Sequence, residues 1–218
     1  MNFRMPGPIC TVAGSFSVSE GSLARVCLPV PANSAAAVVG PTAGPADLVA
    51  GGEAEFDCAA AIAYAGDQAL ESSSGKCARY VMAALARGFG AIDDATSPST
   101  LTASAAMAKI EKALELGHYS GTLVHARDYG PVLEHLDFVA QKSVAAKSEA
   151  KEDFSFTAGD VIVMQGTSES VSGHIQIYDG KQWISDFKQK DPLWPHTSPE
   201  RAWKKEKPAY VIYRYGDD

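Results

Sequence analysis

The 218-residue sequence contains no apolar run near the roughly 18 residues that a membrane-spanning helix requires; runs such as 59–65 are far shorter. An integral membrane helix is therefore excluded. Sustained positive charge is also missing: 19 Lys and Arg stand against 26 Asp and Glu, for a net charge of −7. The basic cluster at 201–207 is interrupted by Ala202, Trp203 and Glu206. Nucleic acid is disfavoured as a partner, because neutralising phosphates needs a continuous basic surface. Four cysteines, Cys10, Cys27, Cys58 and Cys77, are too few for a disulfide scaffold of this length, and no Cys-x-x-Cys pair suggests zinc. A Cys10–Cys27 bridge and free buried thiols are both compatible with the sequence. The opening Met1-Asn-Phe-Arg-Met-Pro-Gly-Pro breaks into Pro and Gly where an export signal carries a continuous apolar stretch. Synthesis in the cytoplasm without an ordinary export signal is expected.

What is present is the composition of a folded protein, with 46% hydrophobic and 21% charged residues. Residues 1–56, rich in Ala, Gly, Pro, Ser and Val, have little helical periodicity and are expected to form an N-terminal extension to a domain spanning 57–218. Apolar spacing predicts helices over 55–70, 77–87, 105–116 and 132–136, with a Ser/Thr/Asp-rich loop at 91–104. Beyond residue 137 the period changes to two, predicting strands at 138–141, 160–164, 174–178, 183–187 and 210–215, with a Pro-rich connection at 192–208. Helices followed by an antiparallel sheet indicate an α+β fold, without the alternation or the glycine-rich phosphate loop of a dinucleotide-binding domain.

Among the cysteines Cys77 stands out, because it opens a helix directly after the small, flexible Ser72-Ser-Ser-Gly-Lys76. Unpaired N–H groups and the helix dipole at that position are expected to stabilise a thiolate and to receive a developing oxyanion. Such a nucleophile needs a base, and the base an orienting group. Of the five histidines only His174 opens a predicted strand after a glycine. The stretch from His174 to Asp186 reads as two strands about an Asp179-Gly180 turn, which is expected to bring the Asp186 carboxylate within reach of the His174 ring. The competing arrangement makes Asp186 a surface carboxylate and gives His174 a backbone carbonyl or a nearby Gln as its orienter.

Several segments carry a resemblance: Ser72-Ser-Ser-Gly-Lys-Cys-Ala-Arg-Tyr-Val81, Ala126-Arg-Asp-Tyr-Gly-Pro131, Ala158-Gly-Asp-Val-Ile-Val163, the stretch from Gly173-His-Ile-Gln through Trp183-Ile-Ser-Asp-Phe187 to Gln189, and Pro208-Ala-Tyr-Val-Ile-Tyr-Arg214. In order and type they resemble the NlpC/P60 and CHAP superfamily of papain-like peptidoglycan hydrolases, and within it the amidase effectors injected by type VI secretion. The resemblance spans about residues 59–215 and implies a papain-like fold, with Cys77 as nucleophile, His174 as general base and Asp186 as the orienting acid. The third group in this superfamily is often His, and here it is Asp. Ser74, Tyr80, Asp128 and Gln176 are the accompanying candidates for substrate binding or support of the site.

The resemblance implies a cysteine amidase or endopeptidase that cleaves amide bonds in peptidoglycan peptides, needing neither metal nor organic cofactor. It also implies delivery through a secretion machine into the wall space of a target cell, a contact with that machinery, and a cognate immunity protein in the producer. Two other readings keep part of this: acyl transfer or isopeptide cleavage on proteins by the same residues, and a wall-binding module without catalysis.

Overall fold

The computed structural model describes residues 55–148 and 154–216. The expected N-terminal extension, with Cys10 and Cys27, lies outside the described residues apart from its last two positions. The chain runs α1 (Cys58–Gln68), α2 (Cys77–Gly88), α3 (Ala103–Ala113), one 3-10 turn (Ala126–Asp128), α4 (Gly130–His135), β1 (Phe138–Val144), β2 (Val161–Met164), β3 (His174–Tyr178), β4 (Trp183–Ile184), α5 (Ala202–Glu206) and β5 (Tyr210–Tyr215). The strands form one antiparallel sheet in the order β1-β5-β2-β3-β4. The fold is thus α+β, with helices first and sheet second, consistent with a papain-like fold. No helix among the described residues is long and apolar enough to cross a membrane.

Local chemistry explains where the helices begin. The Asp57 side chain accepts from Ala60 N at the start of α1, and Thr102 does the same for Ala105 N at the start of α3. These caps shift both helices from their expected bounds, α1 starting later and α3 earlier. α3 also stops at Ala113 rather than running towards Gly117, since Glu115 takes a left-handed conformation. α2 is almost wholly internal from Tyr80 to Ala86, and its four alanines let its neighbours approach closely.

The two-residue period of the strands splits the core in two. Val161, Val163, Ile175, Ile177 and Ile184 face the helical layer around Met82, Leu85, Ile110 and Leu133. Ile162, Met164, Trp183, Tyr210 and Ile212 face the other way, under Trp194 and Trp203. The Pro-rich connection is therefore a second covering layer that includes the short helix α5, an element the sequence pattern does not announce. Its packing is secured by Asp191, which accepts from Leu193 N (3.1 Å) and Trp194 N (2.8 Å) and pairs with Lys204 Nζ (2.5 Å).

The last predicted strand before this layer is cut short. β4 ends at Ile184, and Ser185 N donates to Phe187 O in a tight reversal, so 185–187 does not continue the hairpin. Leu70 N donates to Asp186 O at 2.9 Å, drawing the segment towards the α1–α2 connection. Cys58 is disulfide-bonded, a state that the sequence left open; among the described cysteines Cys77 is free.

Gly173 sets the approach to β3. It has φ +71°, and a Cβ there would lie 2.3 Å from Met164 O and 2.7 Å from Arg127 Cβ. Left-handed strain and overpacking together predict that Gly173→Ala costs ~2–5 kcal/mol. Chemical denaturation measures this, and a loss below ~0.5 kcal/mol, the range of an ordinary surface change, contradicts it.

Candidate active site

The site is assembled at the N-terminal end of α2. Cys77 is the first residue of that helix, and Lys76 before it provides no side-chain cap. The loop carrying Lys76 is instead held by Asp186, which is fully buried. One carboxylate oxygen, Oδ2, accepts from Ser74 N (2.5 Å), Ser74 Oγ (2.9 Å), Lys76 N (3.2 Å) and Ser73 Oγ (3.2 Å), while Oδ1 takes Ser185 Oγ at 3.2 Å. Burial alone would raise the Asp186 pKa, yet the donors from Lys76 and Ser74, and the nearby His174, hold it below the usual carboxylate range.

His174 occupies the first position of β3 and is buried. Its ring packs edge-on against Trp203, with centroids 5.9 Å apart. Its Nε2 lies 2.9 Å from Gln189 Nε2, and Gln189 also donates to Gln176 Oε1. The expected hydrogen bond from His174 to Asp186 is thus replaced: Gln189 holds the ring, and the Asp186 oxygens are taken up by the loop before Cys77. The early end of β4 is the reason, because it turns Asp186 towards α2. Asp186 still acts on His174 through its charge. Burial lowers the His174 pKa to about 4, with Asp186 opposing the shift and His196 adding to it.

Cys77 is partly exposed along a cavity, but its sulfur is crowded by protein. Burial pushes its pKa up to about 11, against the pull of the Ile175, Ala78 and Cys77 N–H groups and with a further upward push from Asp186. The expected thiolate is therefore corrected for the free protein: desolvation outweighs the helix terminus, and thiol and neutral imidazole coexist near neutral pH. The N–H groups remain in place to receive charge that develops during a reaction.

Cys77 and His174 line the same cavity, of about 600 Å³. Its walls also carry Lys76, Arg79, Val124 and Trp203, and Glu169 paired with Arg201 at 2.8 Å. The four accompanying candidates lie elsewhere. Ser74 is tied to Asp186, Tyr80 is packed within buried α2, Asp128 sits in the 3-10 turn beside Arg127, and Gln176 is buried behind His174. None of these side chains is part of the cavity wall. Gln189 is the nearby Gln that the sequence offered as the competing orienter without a number, and the wall residues of the 192–208 connection were not expected. An isolated glutamine after a strand, and a Pro-rich stretch, carry no periodic signal. No cluster of three His, Cys, Asp or Glu side chains suited to a metal occurs among the described residues.

No family model and no curated protein matches the chain. Two solved structures do, both of the type VI effector–immunity complex Tae3–Tai3 from Ralstonia pickettii. The native complex matches at 31% identity over 74% of this chain and 100% of that chain, with a TM-score of 0.45. The selenomethionine complex matches at 30% identity over 71% and 98%, with a TM-score of 0.42. The kinship rests on identity along the full matched chain.

The high thiol pKa gives a direct test. A thiol reacts through its thiolate, so the alkylation rate of Cys77 by iodoacetamide, followed by peptide mass spectrometry, is expected to keep rising from pH 7 towards about 11. A rate that is already level between pH 6 and 8 would show a resting ion pair and contradict the assignment.

Proposed function

The chain belongs to the family of the type VI effector Tae3, and on that premise we propose that it is a cysteine amidase or endopeptidase acting on peptidoglycan peptides. The observation that carries this reading is the meeting of Cys77 and His174 on one cavity, with the sulfur beside the N–H groups of Ile175 and Ala78. The segments resembling NlpC/P60 and CHAP hydrolases support it as well.

In this reading His174 takes the Cys77 proton as sulfur attacks the amide carbonyl. The new C–S bond forms, the oxyanion is received by N–H groups near the start of α2, and His174 returns the proton to the departing amine. Water then attacks the thioester with His174 again as base, releasing a carboxylic acid and restoring the thiol. Asp186 contributes by holding the loop that places Cys77. Delivery by type VI secretion into the wall space of a target cell and neutralisation by a cognate immunity protein complete the proposal, the latter supported by the effector–immunity complexes to which the chain is similar.

Incubation of the purified protein with peptidoglycan sacculi, with mass spectrometry of the released fragments, tests the reaction. Cys77→Ala and His174→Ala are each expected to reduce release by about three orders of magnitude or more with the melting temperature retained, as for the loss of a nucleophile or its base. Wild-type-like release by Cys77→Ala removes the nucleophile. Binding to sacculi without cleavage by the wild type favours the wall-binding module, and modification of added proteins favours acyl transfer or isopeptide cleavage.

A second prediction follows from Asp186. Asp186→Ala strips four donors in the 73–76 loop of their acceptor, at a cost of about 1–3 kcal/mol for each one left buried and unpaired. Lower thermal stability together with slower hydrolysis is expected, and an unchanged melting temperature contradicts the clamp.

A further inference from the structure

Behind His174 runs a chain of buried amides whose direction is fixed at one end. Gln176 Nε2 donates to the Leu193 backbone carbonyl at 2.9 Å. A carbonyl cannot donate, so the Gln176 amide must turn its nitrogen towards Leu193 and its oxygen towards Gln189. That oxygen needs a donor, and it receives Gln189 Nε2. The same nitrogen faces His174 Nε2 at 2.9 Å, which leaves its second hydrogen for the imidazole. His174 Nε2 must then offer a lone pair, and a neutral ring with a lone pair on Nε2 carries its proton on Nδ1.

We propose that Gln176 and Gln189 form a directional amide chain that holds His174 at rest in the Nδ1–H tautomer, and that the base-competent tautomer requires the Gln189 amide to turn over. Since Gln189 occupies Nε2, Nδ1 is the ring nitrogen left for Cys77, and in the resting tautomer it has no lone pair for the thiol proton. The inference rests on the assignment of His174 as the base.

A second observation points to the turned state. Gln189 Oε1 is buried without a hydrogen-bond partner among the described residues. Unpaired buried acceptors are uncommon in native proteins and call for an explanation. Rotating the Gln189 amide by half a turn brings this oxygen to His174 Nε2, where it accepts an Nε2–H and leaves the Nδ1 lone pair directed to the thiol. The proton count is unchanged: solvent adds a proton at Nε2 and removes the one on Nδ1. The obstacle to this state is Gln176, whose oxygen then meets a second oxygen unless it gives up its bond to Leu193. Gln176 is thus the lock and Gln189 the element that turns. Both are positioning residues. The lock is firm because Asp191 and Lys204 fix the 193–194 segment that presents the carbonyl.

The charged and titratable groups facing His174 do not dictate the tautomer. The Asp186 charge favours and His196 disfavours the doubly protonated ring as a whole, and neither hydrogen-bonds to Nε2. Trp203 contributes a ring contact.

The test uses the full chain with 15N-labelled histidine, the His174 signals being assigned by their absence in His174→Gln. Long-range 1H–15N spectra at neutral pH are expected to show a protonated Nδ1 and an unprotonated Nε2 in the wild type. Gln176→Met removes the lock and is expected to raise the Nε2–H population and to speed Cys77 alkylation at pH 7 at least threefold. Gln189→Glu offers only acceptors and is expected to convert the ring to Nε2–H and raise its pKa. A wild-type spectrum showing Nε2–H, or an unchanged tautomer in both variants, overturns the proposal; should the variants fail to fold, the wild-type spectrum decides alone. These readouts need no substrate. A protein with the Nδ1–H form that cleaves no sacculi sinks the hydrolase reading, and an active one with Nε2–H sinks the amide lock.

Discussion

The geometry of the site depends on one buried carboxylate. Asp186 sits just beyond the shortest strand of the sheet and gathers donors from the loop that precedes α2. Lys76, which precedes α2, supplies no side-chain cap, and it is the Asp186 carboxylate that fixes the chain entering the helix by accepting from Ser74 N and Lys76 N. The same contact joins two distant parts of the chain, so the position of Cys77 relative to β3 is set by an interaction more than a hundred residues long in sequence separation. A charge buried this way is tolerable because every bond it makes is to a donor, and two of those donors are backbone N–H groups that need an acceptor.

The electrostatics of the pair follow from the same packing. A helix terminus favours a thiolate by a modest amount, whereas full desolvation of a charge costs considerably more. Two neutral partners are the low-energy state when both are enclosed, and the Asp186 charge reinforces this at Cys77 by opposing a second negative charge nearby. Charge separation is then reserved for the moment when a substrate carbonyl accepts the sulfur.

How far the sequence could be read divides along physical lines. The strands 174–178 and 210–215 are observed at their expected bounds, because alternation of Ile, Val and Tyr with the other face leaves little freedom of register. Cys77 at a helix start and His174 at a strand start were legible for the same reason: each follows a flexible or left-handed residue, Gly75 or Gly173, that ends one element and opens the next. The orienting group was legible only as a choice between Asp186 and a backbone carbonyl or nearby Gln. Its identity depended on whether β4 ran on to Phe187 or reversed at Ser185, and no local preference distinguishes those outcomes. Helix α5 was hidden because five residues are too few for a period, and its burial is fixed by Trp203 and the Asp191–Lys204 pair rather than by any pattern within it.

The division of the core into two layers has an evolutionary corollary. The cavity is a seam: the nucleophile side belongs to the helical layer, whereas Arg201 and Trp203 on its rim belong to the tryptophan layer on the opposite face of the sheet. Trp203 packs against His174 and the Leu193 carbonyl anchors the Gln176–Gln189 pair, so substitutions at those positions reach the base, whereas Arg201, paired with Glu169 on the rim, can be exchanged to change what the cavity admits without disturbing the packing that sustains Cys77.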